Sequence, residues 1–214
     1  MMYSAICFDL DGTLINSIPL WEEAIRFMFS TVGITVSHED FLATYAPVAQ
    51  HTMWMQKYGV DPAQGDQLRT IRNTRYIALL REKVTWLPGA RELLTALHGK
   101  VPLALITNSH ADWVNASDAH LSLRQYFTTV LTADDLESLG KPHPHGFLLA
   151  ADRMHADPKR CVNIGDMDID VEGPHRAGMQ AIVIPGPFTS EKTKKEADAV
   201  YDSLERLKDV LFSA

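Results

Sequence analysis

The stretch that most limits how this chain can fold is Ala5-Ile6-Cys7-Phe8-Asp9-Leu10-Asp11-Gly12-Thr13-Leu14. Four apolar residues in a row read as a short buried strand, and the Gly-Thr pair ends it. Residues two apart in a strand share a direction, so Asp9 and Asp11 emerge on one side of the strand end. In parallel sheets that is where ligands collect. Two like charges so close repel unless a cation or a shared proton relieves them. The pattern therefore suits Mg²⁺ and a nucleophilic carboxylate better than a surface turn.

Beyond this segment, short apolar runs alternate with helical periodicity, which predicts an α/β chain. The strand candidates are Ala5–Phe8, residues 102–106, Thr129–Leu131, residues 161–164 and residues 181–184. Helical patterns at Ala111–Leu121, 144–154 and 170–177 separate the last four, and 203–212 closes the chain with Ser203 as N-cap. Pro174 is expected in the first turn of its helix, where it is tolerated. About ninety residues lie between the first two strands, against the thirty or so of a βαβ unit. Within that interval, helices are expected at 20–32, stopped by Gly33, and at 39–45, 52–58 and 67–83. Residues 15–85 thus read as a helical domain inserted into a core made of 1–14 and 86–214.

A length of 214 residues accommodates such a core with a smaller insert. The formal charge of −7, with no block of Lys or Arg, speaks against nucleic-acid binding. Lys192, Lys194 and Lys195 have Glu191 and Glu196 beside them and read as a solvated loop. No apolar run reaches membrane-span length, and no basic segment precedes the first strand, so neither membrane association nor a removable signal is expected. Cys7 and Cys161 read as buried, inert thiols, which fits the cytoplasm. Composition is compatible with a monomer or a homodimer.

Four segments in order carry a family resemblance: Phe8–Leu14, then Ile106-Thr107-Asn108-Ser109, Gly140-Lys141-Pro142, and Ile164-Gly165-Asp166-Met167-Asp168-Ile169-Asp170. Together they resemble the haloacid dehalogenase superfamily, in its phosphatase branch with a helical cap. The resemblance implies a doubly wound, Rossmann-like parallel sheet and a cap that closes over the acids to exclude water. It implies Asp9 as nucleophile, since a carboxylate attacks phosphorus without prior deprotonation. Asp11 is the general acid and base, and its main-chain carbonyl is a Mg²⁺ ligand beside Asp9 and Asp166. Thr107 and Asn108 would bind phosphate, and Lys141 would neutralise both phosphate and Asp9. Asp170 orients waters or Lys141 from the next shell outwards, and Asp168 reads as a solvated acid or a cap of the next helix rather than a ligand. The implied reaction is Mg²⁺-dependent hydrolysis of a small phosphorylated metabolite, such as a phosphosugar or a phosphoglycolate-like acid.

The chain departs from the family pattern in two places. His145 stands where an acid is usual, and Tyr45-Ala46-Pro47-Val48 replaces a Gly-containing substrate loop. In the insert, Arg26, His51, Lys57, Arg69, Arg72 and Arg75 each read as exposed helical charges, and Trp21, Trp54 and Met55 as its core. A sugar phosphomutase is the nearest rival, although Trp21 stands where mutases carry a helping histidine. A C–P hydrolase would need a Schiff-base lysine, for which Lys57 and Lys83 are candidates. A dehalogenase would leave Asp11 without purpose. A binding module that had lost activity would lack Asp9, Asp11, Lys141 or Asp166, and all four are present.

Overall fold

A computed structural model describes residues 3–44 and 50–212; the side chains of Gln50 and His51 lie outside that description. The expected loop at Tyr45-Ala46-Pro47-Val48 and the side chain of His51 therefore lie outside the described residues. By its contacts the chain divides into two compact units, residues 1–16 with 85–214 and residues 17–84.

In the first unit, the described residues form one sheet of β1 (Ala5–Phe8), β2 (Leu103–Ile106), β3 (Thr129–Leu131), β4 (Cys161–Gly165), β5 (Gln180–Val183) and β6 (Ala199–Val200). The order is β3-β2-β1-β4-β5-β6 and every pairing is parallel. This is the doubly wound order, with its switch point beside β1. Every residue of β1, β2 and β4 is buried, as strands covered on both faces must be. Ala5, Cys7, Ala104 and Ile106 pack with Phe147, Ala150 and Ala151 of the helix at His145–Arg153. The alternate residues of β1 point the other way, and there Phe8 meets the Phe127 ring at 6.4 Å between centroids.

Strand ends matter most for function. Phe8 is in register with Ile164, and the Asp9 N–H donates to the Ile164 carbonyl at 2.9 Å. Asp9 and Asp166, each one residue past its strand, therefore leave the sheet side by side at the switch point. Gly12, at φ 84°, then turns the chain sharply. Ile15 forms an isolated antiparallel bridge with Trp86, and Asn16 N–H donates to Thr85 O at 2.9 Å. The chain thus leaves the core and re-enters it through paired segments.

The second unit comprises helices at Ile18–Ser30, His38–Thr44, Gln50–Lys57 and Gly65–Lys83. The first begins two residues earlier than the sequence pattern because Pro19 fits a first turn. Trp54 and Met55 are buried, with Trp54 stacked on Tyr58 and tilted against Phe29, so they are core residues. Three of the unit's six expected surface charges, and Lys83 besides, have acidic partners. Arg26 pairs with Glu22 at 3.2 Å, Lys57 with Asp40 at 2.6 Å, Arg75 with Glu23 at 2.5 Å and Lys83 with Glu23 at 3.4 Å. Arg72 corrects the expectation: it is buried, not exposed.

Three other expectations are corrected. Lys192, Lys194 and Lys195 lie on a short helix, Glu191–Glu196, capped by Ser190 and braced by Lys194 to Glu191 at 2.8 Å. β6 was not anticipated, because its two residues at the sheet edge carry no periodic signal. Pro174 sits in the interior of the helix Ile169–Arg176, not in its first turn. Cys7 and Cys161 are free and buried, and burial pushes the Cys7 thiol well above its usual range. Among the described residues no helix is long and apolar enough to cross a membrane.

Phe147 is fully buried where helix meets sheet. Phe147→Ala is expected to lower the unfolding free energy by ~3–5 kcal/mol, measured by urea denaturation. A change no larger than that of a surface substitution would mean that this contact is not part of the core.

Candidate active site

The site is a buried cluster of three carboxylates and one ammonium. Asp9 follows β1, Asp166 follows β4, and Asp170 lies in the first turn of the helix Ile169–Arg176. Lys141 comes from the loop before the helix His145–Arg153, and all four are buried. The Lys141 Nζ donates to Asp9 Oδ1 at 2.5 Å and to Asp170 Oδ1 at 2.6 Å. Carboxylate oxygens of Asp9, Asp166 and Asp170 lie within 4.8 Å of one another.

One ammonium against three carboxylates leaves a deficit of two positive charges, and the acids register it. Burial pushes Asp9 up; Lys141 resists that rise and Asp11 adds to it. Asp166 is driven well above the usual carboxylate range by burial and then by Asp9 and Asp170. Asp170 rises to about 6, through burial opposed chiefly by Lys141. For Lys141, burial disfavours the charge, but Asp170 and Asp9 together outweigh it and hold the ammonium above its ordinary value. Converging hard oxygen donors with unmet negative charge fit a divalent cation such as Mg²⁺.

Neighbouring groups fix the cluster. The Asn108 side chain clamps the Lys141 backbone, accepting from its N–H at 2.8 Å and donating to its carbonyl at 2.9 Å. The Asn108 side chain is thereby committed to the lysine. Ser109 Oγ donates to Asp11 Oδ2 at 2.6 Å, and Thr13 Oγ1 to Asp166 Oδ1 at 3.1 Å. Neither hydroxyl was given a role by sequence, although each lies inside a recognised motif. Thr107 is buried at the end of β2, and its Oγ1 accepts from the Ser109 N–H at 3.0 Å. The following helix is Ala111–Leu121 with His110 at its N-cap position, so Thr107 does not cap it. Asp168 is the N-cap of the helix Ile169–Arg176, accepting from the Ile169 N–H at 2.9 Å. At the departure from the family pattern, the His145 N–H donates to His143 Nδ1 at 3.1 Å.

Two features press Asp170 into place. A Cβ on Gly165 would lie 2.3 Å from the Asp170 Cβ, so only glycine permits the helix to approach β4 this closely. Pro174 has no N–H for the carbonyl four residues back, which is that of Asp170. The buried Asn163 Nδ2 on β4 donates to that freed carbonyl at 3.0 Å. Its Oδ1 is buried without a partner among the described residues, so the amide is oriented for the carbonyl. The sequence marks both residues as anomalies, a proline in a helical pattern and an amide in an apolar strand, and their complementarity appears only in three dimensions.

The family model for haloacid dehalogenase-like hydrolases matches residues 3–178. The chain belongs to that family. Fructose-1-phosphate phosphatase YqaB of Escherichia coli K12 is 30% identical over 184 residues, covering 84% of this chain and 95% of the relative. Phosphoglycolate phosphatase of the same organism is 29% identical over 228 residues, covering 94% and 90%. Among solved structures, CbbY from Rhodobacter sphaeroides in complex with phosphate superposes with a TM-score of 0.82 at 25% identity, covering 96% of each chain. Phosphatase names recur among these hydrolases, consistent with a phosphoric monoester hydrolase.

The Asn163–Asp170 bond makes a paired test. Asn163→Leu strands the Asp170 carbonyl, at an expected cost of ~1–3 kcal/mol. Pro174→Ala in the same chain returns an N–H to that carbonyl and should recover a large part of the loss. Additive effects in a double-mutant cycle of thermal unfolding would exclude the exchange.

Proposed function

We propose that this enzyme is a Mg²⁺-dependent phosphatase of small phosphorylated metabolites that works through an aspartyl-phosphate on Asp9. The observation that carries the reading is the convergence of Asp9, Asp166 and Asp170 around Lys141 with two negative charges unmet. Asp9 and Asp166 would hold the cation with their carboxylates, and Asp11 with its main-chain carbonyl. When bound, the cation supplies charge neutralisation between the acids and the phosphate oxygens.

Asp9 attacks phosphorus; the new O–P bond forms as the ester O–P bond breaks. Asp11, held by Ser109, gives its proton to the departing alkoxide and later takes one from the attacking water. Lys141 offsets the charge of Asp9 and of the transferring phosphoryl group, while Asp170 and Asn108 keep it in position. Thr107 and the main-chain N–H of Asn108 bind phosphate oxygens. The names of the two E. coli relatives support fructose-1-phosphate-like and phosphoglycolate-like substrates.

The rival activities draw less support. Lys57 and Lys83 are ion-paired with Asp40 and Glu23, and a Schiff-base lysine must be neutral. Trp21 in place of a helping histidine favours transfer to water over return to a sugar. Residues 17–84 are the proposed cap.

Phosphate release from a panel of phosphorylated metabolites is expected to require Mg²⁺, to stop in EDTA and to fall by ~10³-fold or more in Asp9→Asn. Full turnover in chelator would remove the metal from the account, and retained turnover in Asp9→Asn would remove the nucleophile.

A further inference from the structure

The segment Pro185-Gly186-Pro187-Phe188-Thr189 follows β5 and folds back over the end of β4, where Asp166 stands. Proline cannot continue a strand ladder, and each proline also restricts the residue before it, so this turn has few conformations open to it. Two hydrogen bonds close it. The Gly186 N–H donates to Thr189 Oγ1 at 2.8 Å, and the Thr189 N–H donates to the Gly186 carbonyl at 3.2 Å. The same Thr189 hydroxyl donates to the Asp166 main-chain carbonyl at 2.6 Å. One hydroxyl thus accepts from the turn and donates to the strand end, tying the two together.

Gly186 stands against the carboxylate itself. A Cβ there would lie 3.1 Å from Asp166 Oδ2, too close for ordinary contact. The other oxygen, Oδ1, accepts from Thr13 Oγ1 at 3.1 Å. Buried Asp166 is therefore held at its carbonyl, bonded at one carboxylate oxygen and walled at the other. Closing the turn would need neither the bond to Asp166 nor a bare glycine beside its carboxylate. Mg²⁺ demands near-ideal octahedral geometry at short distances, whereas Ca²⁺ accepts more ligands in looser arrangements. A carboxylate without freedom to swing suits the stricter ion.

We propose that Thr189 and Gly186 are positioning residues for the cation: by fixing the Asp166 carboxylate they raise the preference of the site for Mg²⁺ relative to Ca²⁺. The inference rests on the reading of Asp166 as a cation ligand. Partners that hold a ligand in place in this way shape metal affinity without touching the metal.

The test is isothermal titration calorimetry of the metal-stripped full chain with Mg²⁺ and with Ca²⁺, each alone, beside Thr189→Val, Thr189→Ser, Gly186→Ala and Asp166→Asn. Thr189→Val and Gly186→Ala are expected to lose ~10-fold in Mg²⁺ affinity and less in Ca²⁺ affinity, so that the Mg²⁺-to-Ca²⁺ ratio falls at least ~3-fold. Thr189→Ser, which keeps the hydroxyl, should retain the wild-type ratio, and Gly186→Ala carries the test if Thr189→Val does not fold. Equal losses for both ions, as a merely structural role would give, or an unchanged ratio in Thr189→Val and Gly186→Ala, would overturn the positioning role alone. A wild-type chain that binds neither ion, or Asp166→Asn binding as wild type does, would overturn the ligand reading and the inference with it.

Discussion

Everything at the candidate active site depends on how one buried ammonium is shared among three buried carboxylates. Lys141 reaches Asp9 and Asp170 at hydrogen-bond distance and leaves Asp166 to be relieved by other means. A buried ion pair is rarely a gain in stability over an apolar replacement. The supporting bonds are therefore best understood as serving position. Asn108 holds the lysine backbone, Asn163 the Asp170 carbonyl, Thr13 the Asp166 carboxylate and Ser109 the Asp11 carboxylate.

The sheet makes this arrangement possible. In the doubly wound order β1 and β4 are neighbours, and the winding reverses beside them. Their buried, largely apolar bodies lock the register within the core, so the residues just past their ends are placed within the precision of the backbone ladder. Gly165 then lets the helix Ile169–Arg176 approach until the Asp170 side chain touches the strand end. Residues separated by 161 positions in sequence, Asp9 and Asp170, thus meet without a flexible loop setting their distance.

Much of this was legible in the chain itself. Short, mostly apolar runs bounded by Gly, Thr or Asp located the buried strands to within one or two residues, since burial on both faces leaves little choice of composition. Asp9, Asp11 and Asp166 could be named because their motifs follow strand ends, and Lys141 because its motif falls in the family's order. Bonds between distant segments were not legible: Asn108 to Lys141, Asn163 to Asp170 and Ser109 to Asp11 have no local signature. Two-residue β6 fell below any periodic signal. Arg72 was misjudged because its flanking residues, Ile71 and Asn73, do not reveal that the helix turns it towards Trp21.

The most direct test of the account is whether the carboxylate cluster binds a divalent cation. Thermal unfolding of the full chain should be measured with and without Mg²⁺, beside Asp166→Asn. The account predicts stabilisation that grows with Mg²⁺ concentration as binding to the folded state requires, and that is lost in Asp166→Asn. An unchanged melting temperature, or the same rise in the variant, would contradict it.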